Sequence, residues 1–371
     1  MEAPQRTKEY LKKNCSIDLT FPYHRDEGLP ARLTDLTTHL LQSGVSKDNW
    51  AIGHAASSLE EKLAEMFGKP AAMWCPTGTM AQGIAARLYA EKRGKKNVIL
   101  HATSHLVLHE KEAYSVVHGL DAEIVGGWRE TLKPNMLHEN AACAFIEMPQ
   151  RHSGGLLPNW DELNALKEQA ASLKLPLHMD GARLWSCRPF YENKPLAEIV
   201  DGFSSLYVSF YKDIGATTGA ALIGEKDFIE EARAWCGRLG GLFVDPSFMT
   251  TDTLRLLDKR LPQMEGFVRA AKDLANAVDG IDGIEVSPKP PQVNMFHILL
   301  PCYHGIAEQA RDIIAEKTGI WLSNRFWNYE GDNQCAMEVS VGEKAAAVST
   351  NVFADAVSLL VQEIKAKSQC M

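Results

Sequence analysis

No apolar run in this chain approaches the roughly 20 residues that a helical membrane span requires. The longest, such as Met295–Pro301, stop far short. Eight cysteines are scattered along 371 residues, none paired as CxxC, and several stand in apolar settings (Cys75, Cys143). That scatter excludes a disulfide framework or a cysteine zinc site and fits reduced thiols. Positive charge is not in surplus: 39 Lys and Arg against 47 Asp and Glu give a formal net charge of −8. Nucleic acid and anionic membrane are therefore not the expected partners. The stretch Met1–Cys15 is charged and lacks the apolar core of a signal peptide, so a cytoplasmic location is expected. No GxGxxG follows an early strand-like run, which removes a nicotinamide dehydrogenase. The 12 histidines form no ligand-spaced pair with carboxylates on one helix, which removes a zinc hydrolase and leaves no expected metal.

What is present is alternation. From about residue 55 to 225, helical patterns (57–67, 79–92, 159–174) alternate with short apolar runs (71–75, 98–101, 142–147, 175–179, 206–210). Asn159 with Glu162 three residues on reads as a capping box. This rhythm predicts an α/β fold with a mostly parallel sheet flanked by helices. Near Pro246 the pattern changes to a long helical stretch from Thr250 to about Val278. Breaks at Gly280, Gly283 and Pro288–Pro291 follow, then a strand over 293–300 and a final helix over 343–365. The expected division is an N-terminal arm (1–45), a large domain (46–250) and a smaller C-terminal α+β domain (251–371).

Two short runs carry the chemistry. His178-Met179-Asp180-Gly181-Ala182-Arg183-Leu184 and Ser209-Phe210-Tyr211-Lys212-Asp213-Ile214-Gly215 each begin where an apolar strand-like stretch gives way to glycine. One presents a carboxylate, the other an amine. An isolated Asp-Gly is most often a turn pair, and one lysine among many means little. Together at strand ends of one sheet, where such folds bind ligands, they suit pyridoxal 5'-phosphate. A lysine amine condenses with the cofactor aldehyde, and an aspartate keeps the pyridine nitrogen protonated. Cys75-Pro76-Thr77-Gly78-Thr79-Met80 adds a strand, a tight turn and a helix start, an anion-binding arrangement with Gly78 and Thr79 proposed for the phosphate. His105, after the next strand, is placed to stack on the pyridine ring, with Glu110 close behind.

With these residues assembled, the chain resembles the threonine aldolase / β-eliminating lyase family of fold-type I pyridoxal-phosphate enzymes over about residues 50–300. The carrying motifs are His-x-Asp-Gly-Ala-Arg-Leu at 178–184, the lysine segment with Gly215 and Gly219, Gly-Thr-Met-Ala at 78–81, Ser104-His105 with Glu110, Glu147 followed by Gly154-Gly155, and Gly240-Gly241. The resemblance implies that Lys212 holds the cofactor covalently, Asp180 faces the pyridine nitrogen and His105 stacks on the ring. Gly78 and Thr79 would take the phosphate, and Arg183 would bind near cofactor and substrate carboxylate. It also implies a homo-oligomer, dimer or tetramer, acting on a small amino-acid substrate.

Departures from the family pattern mark the substrate side. Gln150 stands where threonine aldolases carry a histidine near the substrate hydroxyl, and an amide is no general base. Tyr211 replaces the serine before the lysine. The family's Tyr-Gly-Glu-Asp-Pro stretch is replaced near Ala51-Ile52-Gly53-His54, and Glu338 stands near the family's carboxylate-binding arginine. Arg151 and Arg325 are the substitutes considered for that arginine, with His105 or a water beside it as the base. The expected reaction is cleavage of a β-hydroxy-α-amino acid, threonine- or allo-threonine-like, to glycine and an aldehyde. β-Elimination, transamination and racemisation remain open, as does a catalytically weak cofactor-binding protein.

Overall fold

The computed structural model describes residues 8–24, 28–50, 53–328 and 333–368. Ala51 and Ile52, and the first seven residues of the charged N-terminal stretch, lie outside the described residues. Two units are present: Asp26–His152 with Leu156–Gln263, and Met1–Arg25 with Ser153–Gly155 and Met264–Met371.

The larger unit is built on seven strands: β1 (Ala71–Cys75), β2 (Asn97–His101), β3 (Asp121–Val125), β4 (Cys143–Glu147), β5 (Leu177–Gly181), β6 (Ser205–Ser209) and β7 (Ala220–Gly224). Their order is β1-β7-β6-β5-β4-β2-β3. Only β7 runs against its neighbours, and it lies between β1 and β6. All six other strands therefore point the same way, and their carboxyl ends gather along one edge. Every residue of β4, β5, β6 and β7 is buried, which is why these segments read as apolar runs rather than alternating ones. The Gly78–Arg93 helix lays Ala81, Ile84, Ala85 and Leu88 on Val98, Leu100 and Tyr207. Ahead of the Trp160–Ser172 helix both arms of the capping box form: Glu162 N donates to Asn159 Oδ1 at 2.9 Å, and Asn159 N donates to Glu162 Oε2 at 2.8 Å. Such a cap contributes about 1 kcal/mol.

The smaller unit is α+β. A four-stranded antiparallel sheet, in the order Phe326–Asn328, Cys335–Ser340, Met295–Leu300, Glu285–Ser287, is accompanied by the helices Met264–Val278, His304–Thr318 and Thr350–Ser368. Two expected helices prove to be broken. The stretch over 250–278 is a helix at Ser247–Arg260, a 3-10 turn at Leu261–Gln263 and a second helix at Met264–Val278. Pro262 sits in the turn, lacking the N–H that a continuous helix needs. The stretch over 343–365 is a short Glu343–Ala346 turn and then Thr350–Ser368. Ser349 restarts it, its Oγ accepting from Val352 N at 3.3 Å.

Candidate active site

The candidate residues collect at the carboxyl edge of the larger unit's sheet. Asp180 lies on β5 with Glu147 of β4 on one side and Tyr207 of β6 on the other. It is 2% exposed, and its Oδ1 accepts from Ala182 N at 3.1 Å, turning the chain out of the strand. Glycine must follow, because a Cβ at Gly181 would stand 2.7 Å from the Tyr207 carbonyl oxygen. Behind it, His178 is buried against Phe145 and hydrogen-bonded to Ser205 Oγ at 2.7 Å. Burial pushes that imidazole down to about 3, so it packs as a neutral ring.

Lys212 sits in the loop after β6. Two backbone bonds close this loop, Phe210 N to Gly219 O and Ala216 N to Phe210 O. Asp252 pins it from the side, accepting from Thr217 N and Oγ1 at 3.1 and 3.0 Å and from Arg32 at 3.0 Å. Arg32 in turn donates to the Gly215 carbonyl at 2.8 Å. The half-buried Lys212 amine lies 5.6 Å from the Tyr211 ring centre and 6.0 Å from that of Tyr207. Burial first, then the Arg183 guanidinium, lowers its pKa to about 8, against the opposing carboxylates of Asp180 and Glu147. An amine so placed is neutral, and so nucleophilic, in a useful fraction near neutral pH.

Glu147 braces the neighbouring loops. Its Oε2 accepts from His105 N at 3.2 Å and its Oε1 from Arg151 N at 3.0 Å. Burial, reinforced by the Asp180 carboxylate, raises its pKa to about 7. His105 heads a short helix after β2, with Nδ1 2.9 Å from Glu110 Oε1. Gln82 Nε2 donates to the same oxygen at 3.3 Å. The buried carboxylate can only accept when ionised, so the His105 proton is placed on Nδ1. At the end of β1, Thr77 caps the Gly78–Arg93 helix by accepting from Met80 N at 3.3 Å. Gly78 is buried, Thr79 is exposed, and the N–H groups of this first turn have no intrahelical acceptor. A Cβ at Gly78 would stand 2.1 Å from the Tyr207 hydroxyl, so only glycine keeps this cradle open.

The remaining expected residues divide. Arg183, 6% exposed, and Arg151 both act on the Lys212 amine. The Arg183 turn is tied to the lysine loop by Trp185 Nε1 donating to Ser209 O at 2.9 Å and Ser209 Oγ to Ala182 O at 2.8 Å. Gln150 is 3% exposed, its N–H held by Leu156 O at 2.9 Å. Its Oε1 meets no donor among the described residues. With Glu147 and His101 it lines a cavity of about 10 Å³, room for about one water. Arg325 belongs to the smaller unit, where its Nη1 lies 2.5 Å from Glu338 Oε1 and 3.3 Å from the Tyr23 hydroxyl. Sequence reasoning passed over Tyr207, Thr77, Arg32 and Asp252. For Asp252 a signal existed: Thr250-Thr251-Asp252-Thr253 is a polar run on a helix, and all four are buried.

The layout of strands, amine and carboxylate is that of the fold-type I pyridoxal-phosphate enzymes. The residues fit that group: an amine for its aldehyde, a buried carboxylate for its ring nitrogen, and an open helix start for its phosphate. The chain belongs to the beta-eliminating lyase family, whose pattern matches residues 42–300, and is a pyridoxal-phosphate-dependent lyase. It is 27% identical over 253 residues to low-specificity L-threonine aldolase 1 of Arabidopsis thaliana, covering 65% of this chain and 70% of that relative. A solved structure from Listeria monocytogenes, provisionally named an L-allo-threonine aldolase, is 31% identical with a TM-score of 0.85, covering 95% of this chain and 98% of the other. Serine palmitoyltransferase of Sphingomonas wittichii, 15% identical over 92% of this chain and 85% of its own with a TM-score of 0.66, shares the fold alone.

Proposed function

We propose that the protein cleaves β-hydroxy-α-amino acids of the threonine or allo-threonine type to glycine and an aldehyde. The observation that carries the reading is the Lys212 amine in the loop after the strand next to that of Asp180, which burial and the Arg183 guanidinium lower to about 8 against the Asp180 carboxylate, in a chain similar to threonine aldolases over most of its length. When bound, pyridoxal phosphate supplies an electron sink for the pair released as the Cα–Cβ bond breaks. Lys212 is the residue that would hold the cofactor through its aldehyde. Asp180, buried and with one oxygen tied to the Ala182 amide, would hold a proton on the pyridine nitrogen. His105, fixed by Glu110, would cover the ring, and Gly78 and Thr79 would offer their amides to the phosphate.

Arg183 is assigned to the substrate carboxylate, with Arg151 beside it. Binding that carboxylate fixes which bond at Cα stands perpendicular to the ring, and so which bond breaks. Gln150 orients a polar group of the substrate without exchanging protons. Arg325, already engaged by Glu338 and Tyr23, is the lesser candidate for the carboxylate. A cytoplasmic homotetramer is part of the same reading. Among the described residues seven cysteines are free thiols, and no helix is long and apolar enough to cross a membrane.

The deciding experiment incubates cofactor-loaded protein with L-threonine, L-allo-threonine and L-phenylserine. Equal release of glycine and aldehyde from at least one of them is expected. 2-Oxobutyrate and ammonia from L-threonine, with no glycine from any of the three, would replace aldol cleavage by β-elimination.

A further inference from the structure

Cleavage needs a group that removes the proton of the substrate's β-hydroxyl, and Gln150 cannot. Two residues beyond it, His152 is 5% exposed in the turn Arg151–Ser153. Its Nε2 lies 2.5 Å from Nε2 of His109, while the two ring centres are 4.7 Å apart. The nitrogens thus point at each other, and one hydrogen at most fits between them. His109 follows His105 by one helical turn, their ring centres 5.1 Å apart, and is itself exposed. Trp128 packs edge to face with His152, their ring centres 6.0 Å apart. The Glu147 carboxylate holds both backbones at once, taking the amide of His105 and that of Arg151. A line of imidazoles therefore runs from His105, proposed to cover the cofactor, to the buried His152 two residues after Gln150, and His109 joins it to solvent.

We propose that the His109–His152 pair is the acid–base group of the proposed cleavage and that His152 receives the β-hydroxyl proton. The O–H bond breaks and its proton passes to the imidazole. The oxygen forms its second bond to Cβ as Cα–Cβ breaks, and the electron pair remains with the glycine half. That half takes up one proton at Cα, so protons balance over the turnover. His109 accepts the hydrogen between the two rings as His152 becomes charged, and thereby offers a path to water. Charged groups adjoin the pair on both sides: Glu110 bonds His105, Glu147 takes the backbone amides of His105 and Arg151, and Arg151 precedes His152 in the chain.

This inference rests on the aldolase reading. Its test compares wild type with H152Q and H109Q, all cofactor-loaded, following kcat, KM and the pH profile of glycine release. Expected for H152Q is an unchanged cofactor absorbance, a KM within about threefold, and kcat lower by roughly 100-fold or more, the usual weight of a general base. The acidic limb of the wild-type profile, where the pair is protonated, should vanish. H109Q, altered at an exposed ring, should fold normally and lose about tenfold, with its acidic limb shifted. Proton NMR of the enzyme with nitrogen-labelled histidine should show a downfield bridging hydrogen that both variants lack. Wild-type turnover with H152Q at undiminished kcat would overturn the pair and leave the aldolase reading standing. Wild type that cleaves no β-hydroxy-α-amino acid would overturn both.

Discussion

The two ends of this site are built differently. At the proposed cofactor end, Gly78, Asp180, Arg183 and Lys212 stand at or just beyond strand ends of the larger unit's sheet, among neighbours that leave little freedom. Gly181 faces a carbonyl oxygen and Gly78 a tyrosine hydroxyl, each closer than a Cβ allows. At the proposed substrate end, Gln150 is held by the Leu156 carbonyl, and the turn that follows it, with Arg151 and His152, is anchored by the Glu147 carboxylate through the Arg151 amide. The cofactor is a constant ligand with fixed chemistry, so its holders cannot drift. A substrate pocket can exchange one proton acceptor for another nearby, provided the backbone still presents it.

Lys212→Ala should break the cofactor end outright. Turnover should be abolished and the covalent cofactor absorbance lost; glycine release at the wild-type rate would remove Lys212 from the mechanism. A milder probe is pH. With its pKa lowered to about 8, the Lys212 amine is neutral above that value and charged below it. Loading of cofactor-free enzyme should therefore accelerate roughly 50-fold from pH 6 to pH 8 and level off above about pH 9. A rate still climbing above pH 9 would mean an unshifted lysine. Next in size, Gly78→Ala drives a methyl group against the Tyr207 hydroxyl. It should cost about 1–3 kcal/mol, read as a weaker cofactor Kd and a lower Tm. Unchanged values would show that the helix start is not the phosphate cradle.

The same contrast decides what the sequence made legible. The strand ends before Gly78, Asp180 and Lys212 are apolar runs of five residues, buried on both faces, and such runs announce themselves. The capping box at Asn159 and Glu162 did so too. The broken helix at Pro262 was signalled by its proline and overruled by the periodicity around it. Contacts distant along the chain left no linear mark: Asp252 reaching the loop 35 residues before it, or His109 meeting His152 across 43 residues. Neither do the segments 1–25 and 153–155, which join the C-terminal unit only in three dimensions.

The smallest expected effect is the sharpest discriminator. Gln150→His restores the histidine that threonine aldolases carry at this place, in a buried position beside a water-sized cavity. If the substrate end has no base of its own, the new imidazole should supply one, and kcat should rise by about 10²-fold or more. If His152, paired with His109, already takes the hydroxyl proton, a second base competes for the same proton and adds little. We expect kcat to change by less than about tenfold in either direction, and the double variant Q150H/H152Q to recover most of what H152Q loses. Recovery without gain would show that the proton acceptor has moved two residues along one turn while the cofactor end stayed where it was.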